Sequence, residues 1–67
     1  MENRLKFTEQ EFRDRASSSI KSGCSYIGGD LFLLPNGANG WKIVDGKTWK
    51  ILFASDNLDK LYWYYVT

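Results

Sequence analysis

Side chains able to do acid–base, nucleophilic or metal chemistry are scarce in this chain: its 67 residues include no histidine, one cysteine and eight carboxylates. Four of the acids, Asp30, Asp45, Asp56 and Asp59, stand beside turn-forming residues, where they cap chain reversals and keep the surface wet. No two are spaced as an acid–base pair, and nothing in the order of residues resembles a metal-ligand set or a dinucleotide fingerprint. The glycine-rich stretch 35–40 has the composition of a phosphate cradle but lacks the Lys-Ser/Thr of a P-loop and the strand–glycine–helix context of a dinucleotide site. Cys24 has no partner for a disulfide and reads as a small buried hydrophobe. The expectation is a protein that is not an enzyme, with no catalytic residue, no cofactor and no metal.

What the chain has instead is aromatic surface. Seven of its eleven aromatic residues fall within residues 41–67, and each large ring can bury roughly 150–250 Å². A domain of this size buries only about 60% of its unfolded surface, so rings must supply much of the core. Nine Lys+Arg against eight Asp+Glu leave a net charge of +1. That balance disfavours the broad positive field that captures nucleic acid, while leaving room for a local basic patch. No apolar run reaches the ~18 residues of a membrane span, and the first residues carry charges rather than an apolar leader. A soluble, cytoplasmic single domain over residues 1–67 is expected.

The elements that would position these rings can be read in order. Thr8 and Glu11 make a capping box, Phe7 and Phe12 have the spacing of a hydrophobic staple, and Gly23 is placed as a left-handed stop; the spacing predicts a helix over residues 9–22. Its apolar stripe is Phe12, Ala16 and Ile20, widened by Ser19. Gly28 and Gly29 predict a bend between two short β pieces. Leu31, Phe32, Leu33 and Leu34 are apolar at every position, as in a strand covered on both faces or one whose outer face meets a partner. A hairpin through a three-residue Val44-Asp45-Gly46 loop, with Gly46 left-handed in a bulge, would pair Ile43 with Lys47 and Trp41 with Trp49. Trp41, Ile43, Trp49, Ile51 and Phe53 would then line the core. Residues 61–66 alternate as a last strand, with Trp63 inward and Tyr62 and Tyr64 outward beside Lys42 and Lys50. A short first strand at residues 4–7 would complete the sheet. The fold expected is α+β: one N-terminal helix packed on an antiparallel sheet of three to five strands, in two layers.

Interface cores favour Tyr, Trp and Phe, so the expected function is a protein-binding module. Its patch would be centred on Tyr62 and Tyr64 and rimmed by Lys42 and Lys50, with another protein or a second copy as partner. Small cofactor-free domains of this kind include phage and mobile-element inhibitors of host defence proteins. The alternative is a single-stranded nucleic-acid binder using the same aromatic and lysine sheet face. The glycine–aromatic signature of RNA-recognition sheets is absent.

Overall fold

The computed structural model describes residues 7–67. Helix α1 (Glu9–Ser22) begins where the local chemistry says it must. The Thr8 hydroxyl accepts from the Glu11 N–H at 3.2 Å, and Glu11 Oε1 accepts from the Thr8 N–H at 2.9 Å. The helix stops at Gly23, whose φ of 94° is the left-handed conformation that glycine adopts without steric cost and whose N–H donates to the Ser19 carbonyl. The buried stripe is Phe12, Ala16 and Ser19. Ile20, expected in the core, is 63% exposed. At 3.6 residues per turn, a step of seven returns to the same line while a step of eight overshoots by about 80°. Position 19, a serine, therefore takes the inward place. Its hydroxyl stays bonded by donating to the Ala16 carbonyl at 2.7 Å.

Four antiparallel strands follow, β1 (Ser25–Tyr26), β2 (Leu31–Asn36), β3 (Gly40–Asp45) and β4 (Ile51–Ser55), ordered β1-β2-β3-β4. Gly28 and Gly29, both at positive φ, make the β1–β2 reversal. Strand β2 runs through Pro35, which pairs with Trp41. Of the first strand expected at residues 4–7, residues 4–6 lie outside the described residues and Phe7 is not in a strand.

The β3–β4 hairpin departs from the expected three-residue loop. Ile43 pairs with Phe53 and Trp41 with Ser55, so residues 46–50 form the connection. Gly46 is not left-handed, and Trp49 takes the positive φ, at 61°. A tertiary contact decides this outcome. The Gly46 N–H donates to the Asp30 carbonyl at 2.7 Å, and a Cβ at position 46 would stand 2.8 Å from that carbonyl oxygen and from the Phe32 ring. Asp45 then organises the loop, accepting from the Lys47 N–H on its carboxylate and from the Trp49 N–H on its carbonyl. Beyond it a bulge separates the Ile43 and Val44 pairings, so that Ile51 pairs with Val44 and Leu52 is the extra residue. A one-residue slip moves side chains to the other face of a strand. Trp41, Ile43 and Phe53 keep the inward face, whereas Trp49 and Ile51, expected beside them, are 54% and 58% exposed.

The second departure is larger: residues 61–66 belong to helix α2 (Leu58–Val66), not to a strand. Asn57 caps it, its Oδ1 accepting from the Asp59 N–H at 2.9 Å and the Lys60 N–H at 3.3 Å. Leu58, Leu61, Tyr62 and Tyr65 recur at i, i+3, i+4 and i+7, a helical stripe that turns toward the core. Trp63, expected inward, is 66% exposed, and Tyr62, expected outward, packs on Phe12 with ring centroids 5.4 Å apart. Cap and stripe together override the β preference of Trp and Tyr.

Both helices cover the same side of the sheet, giving a two-layer α+β fold whose core is Phe12, Ala16, Ile27, Leu33, Ile43, Leu61 and Tyr65. The indole N–H of Trp41 donates to the Ala16 carbonyl at 3.1 Å, pinning α1 to β3. The Tyr65 hydroxyl accepts from the Phe7 N–H at 2.8 Å and donates to the Ile27 carbonyl.

Two stability predictions follow from this packing. Leu61→Ala empties a fully buried site and should cost about 2–5 kcal/mol, whereas Trp63→Ala should stay within about 0.5 kcal/mol; equal effects in denaturant melts would restore the strand reading, in which both share a face. Burial holds the Tyr65 hydroxyl above its ordinary value near 10, partly opposed by the Phe7 N–H. A raised folded-state pKa stabilises fully below the unfolded value and loses that contribution as pH climbs through the folded one. Stability should therefore fall above about pH 10, and the fall should be shallower in Tyr65→Phe, measured by melts across alkaline pH.

Candidate functional site

With both helices on one side, the other side of the sheet is uncovered among the described residues. The strand registers place one apolar row straight across it: Tyr26 opposite Phe32, Phe32 opposite Val44, Val44 opposite Ile51. A second row, Leu34–Lys42–Ala54, runs beside it. The residue-46 to residue-50 connection folds Trp49 onto the first row, its ring 5.4 Å from that of Phe32, which lies 5.5 Å from Tyr26. Three tilted aromatic rings thus form a continuous ridge on the β1–β3 part of the sheet. Val44 at the centre is 2% exposed, while Tyr26, Trp49 and Ile51 around it remain largely open to solvent.

Backbone strain supports this ridge. Among the described residues, Asp30 and Trp49 are the two non-glycine residues at positive φ, 63° and 61°, a conformation that costs an L-residue roughly 1–2 kcal/mol. Asp30 lends its carbonyl to Gly46 and its carboxylate to Lys47 at 3.7 Å. The cost at both positions is met by contacts that hold Trp49 over Phe32.

The four residues expected to form one patch divide between two layers. Lys42 is half-buried between Leu34 and Ala54 on the open face, and Lys50 is exposed next to Ile51 at its rim. Neither has an ion-pair partner among the described residues. Tyr62 and Tyr64 sit in the helix layer instead. Tyr62 is half-buried against Phe12 and Tyr65, and Tyr64 lies flat on Phe53 with centroids 4.8 Å apart and planes 5° from parallel. The structure therefore does not bring the tyrosines to the lysines. The face also recruits Tyr26, Phe32, Trp49 and Ile51, which were assigned elsewhere or left unassigned. Only Phe32 carried a signal of this, as part of the unbroken apolar run from Leu31 to Leu34, two of whose side chains must face away from the core.

Tyr62 lines an open groove of about 430 Å³ with Glu9, Asp59, Trp63 and Val66. Its carboxylates are already engaged, since Arg13 pairs with Glu9 at 3.0 Å and with Asp59. Among the described residues there is no cluster of three or more His, Cys, Asp or Glu side chains able to hold a metal. Cys24, expected to be buried, is exposed. No helix among them is long and apolar enough to cross a membrane.

No protein-family model, curated protein or solved structure matches the chain. The functional reading therefore rests on the geometry of the open face.

That geometry depends on Gly46. Gly46→Ala should destabilise the domain by about 1–3 kcal/mol, because backbone cannot yield to the new Cβ. It should also blue-to-red shift no other tryptophan but Trp49, which loses its seat on Phe32. A denaturant melt with single-tryptophan fluorescence reads both effects, and an unchanged midpoint would show that the close approach to Asp30 is not needed.

Proposed function

We propose that this chain is a non-enzymatic protein-binding module, and that its open sheet face docks on a protein surface with an apolar centre and carboxylates at its rim. The observation that carries this reading is the Tyr26–Phe32–Val44–Ile51 row with Trp49 seated over it. Aromatic and aliphatic side chains in one contiguous patch, with Lys42 and Lys50 beside it, have the composition of an interface core. Lys42 and Lys50, without ion-pair partners among the described residues, set the charge expected of the partner: acidic where they are basic. Within this class we favour an inhibitor that covers a site on a larger protein, such as a phage or mobile-element protein acting on a host defence protein. A small domain with one broad face acts by occlusion.

A second reading has one observation in its favour. Exposed Trp49 and Tyr26 share a face with Lys42 and Lys50, the combination by which sheets stack and neutralise single-stranded nucleic acid. The mutual packing of Tyr26, Phe32 and Trp49, and the aliphatic Val44 and Ile51 between strands, fit a protein surface better than a set of free stacking planes.

Affinity capture from the native host, with nuclease treatment, supplies the partner for the decisive measurement. Ile51→Lys and Trp49→Ala should each weaken binding by about 2 kcal/mol or more, as interface hot spots do, with the melt unchanged. Tyr64→Ala should bind as the parent does. The reverse order of effects would return the site to the helix layer. Binding to an oligonucleotide that falls steeply with salt, through release of condensed counterions, would establish the second reading instead.

A further inference from the structure

The open sheet has two edges, and they differ. Strand β1 is only two residues long, and the Tyr26 carbonyl accepts from Arg15 Nη1 at 3.4 Å. Among the described residues strand β4 is paired to β3 alone, so that the backbone groups of alternate residues along Ile51–Ser55, those not turned to β3, have no neighbouring strand. Edges are ordinarily guarded by proline, by charge within the strand, by brevity or by a bulge. Of these guards strand β4 carries only the bulge at Leu52; it has no proline and no charge within it, and its Ile51, Leu52 and Ala54 are exposed.

Its flanks are charged, and with opposite sign. Lys50 precedes the strand and Asp56 follows it; both are exposed and neither has an ion-pair partner among the described residues. An antiparallel pairing of this edge with the same edge of a second copy, centred on Phe53, sets Ile51 opposite Ser55 and Leu52 opposite Ala54. In the same register Lys50 of each copy stands opposite Asp56 of the other. Two-fold symmetry makes both ion pairs at once. Residues directly opposite on antiparallel strands are close enough for charge to set the register. A parallel pairing would instead place lysine near lysine and aspartate near aspartate.

We infer that β4 is a self-association edge: two copies join β4 to β4 about a two-fold axis, locked by reciprocal Lys50–Asp56 pairs, into one continuous eight-stranded sheet. The occupant of the edge is a second copy because the strand's flanking charges complement each other on inversion. This goes beyond the docking reading above, since it concerns the edge of the sheet rather than its face, and either can fail alone. The join presents two open faces side by side, so a partner with a repeated site would be held by avidity.

Sedimentation equilibrium of the full chain over a wide concentration range tests the inference. A monomer–dimer equilibrium is expected, strengthening as salt is lowered. Lys50→Asp and Asp56→Lys should each weaken the dimer at least about tenfold by turning two attractions into two repulsions, and the double variant should recover to within about threefold of the parent. Unchanged far-ultraviolet circular dichroism shows that each variant is folded. Amide exchange on the unmodified chain gives a second readout: the β4 amides that face away from β3 should be protected at high concentration and lose that protection on dilution, while those bonded to β3 stay protected. The inference is overturned by a monomer at every concentration, by a double variant as weak as the singles, or by a dimer that Trp49→Ala dissolves and Asp56→Lys leaves intact. That last result would mean that copies meet through the open face.

Discussion

The Tyr65 hydroxyl is the constraint on which the rest of the structure depends. It accepts from the backbone of Phe7 and donates to the backbone of Ile27, joining the approach to α1, the end of β1 and the last helix at one buried atom. Its ring meanwhile packs on Phe12 at 5.0 Å, in the middle of the buried cluster. A buried hydroxyl left unbonded costs about 1–3 kcal/mol, so the three segments must meet there together. Once they do, both helices lie on one side of the sheet. Among the described residues the opposite side is left open as a consequence of the same closure.

That arrangement carries a cost for so small a domain. A chain of this length is marginally stable at best, yet it leaves Tyr26, Trp49 and Ile51 in solvent and holds Asp30 and Trp49 at unfavourable φ. The chain uses a glycine at 46 to admit Phe32 and a longer connection to lift Trp49 onto the outer face. These choices cohere if the outer face is where the protein acts, and they oppose stability otherwise.

What the sequence made legible follows the range of the interactions concerned. Helix α1 was readable to the residue because its cap, its first turn and its left-handed stop are all contacts within four positions. The inward places of Trp41, Ile43 and Phe53 were readable from alternation, which is also local. Trp49 and Ile51 were not, because Gly46 is demanded by Phe32 and Asp30 across the sheet rather than by a left-handed turn. In α2 two local signals conflicted: the aromatic run favours a strand, whereas Asn57 and the 58, 61, 62, 65 spacing favour a helix. Packing against Phe12 decides between them. The candidate site was accordingly half legible. Lys42 and Lys50 belong to the open face, while Tyr62 and Tyr64 turned with the helix into the other layer.

The three tryptophans report on the two layers independently. Trp41 is half-buried and bonded to α1, Trp49 stands on the open face, and Trp63 projects from the helix layer. Fluorine NMR of the chain labelled with fluorotryptophan, recorded before and after addition of the captured partner, tests the central claim most directly. The account predicts that the Trp49 resonance shifts and loses its solvent isotope effect while that of Trp63 keeps both its position and its exposure. A shift confined to Trp63, with Trp49 unmoved, would place the binding surface on the helices and contradict it.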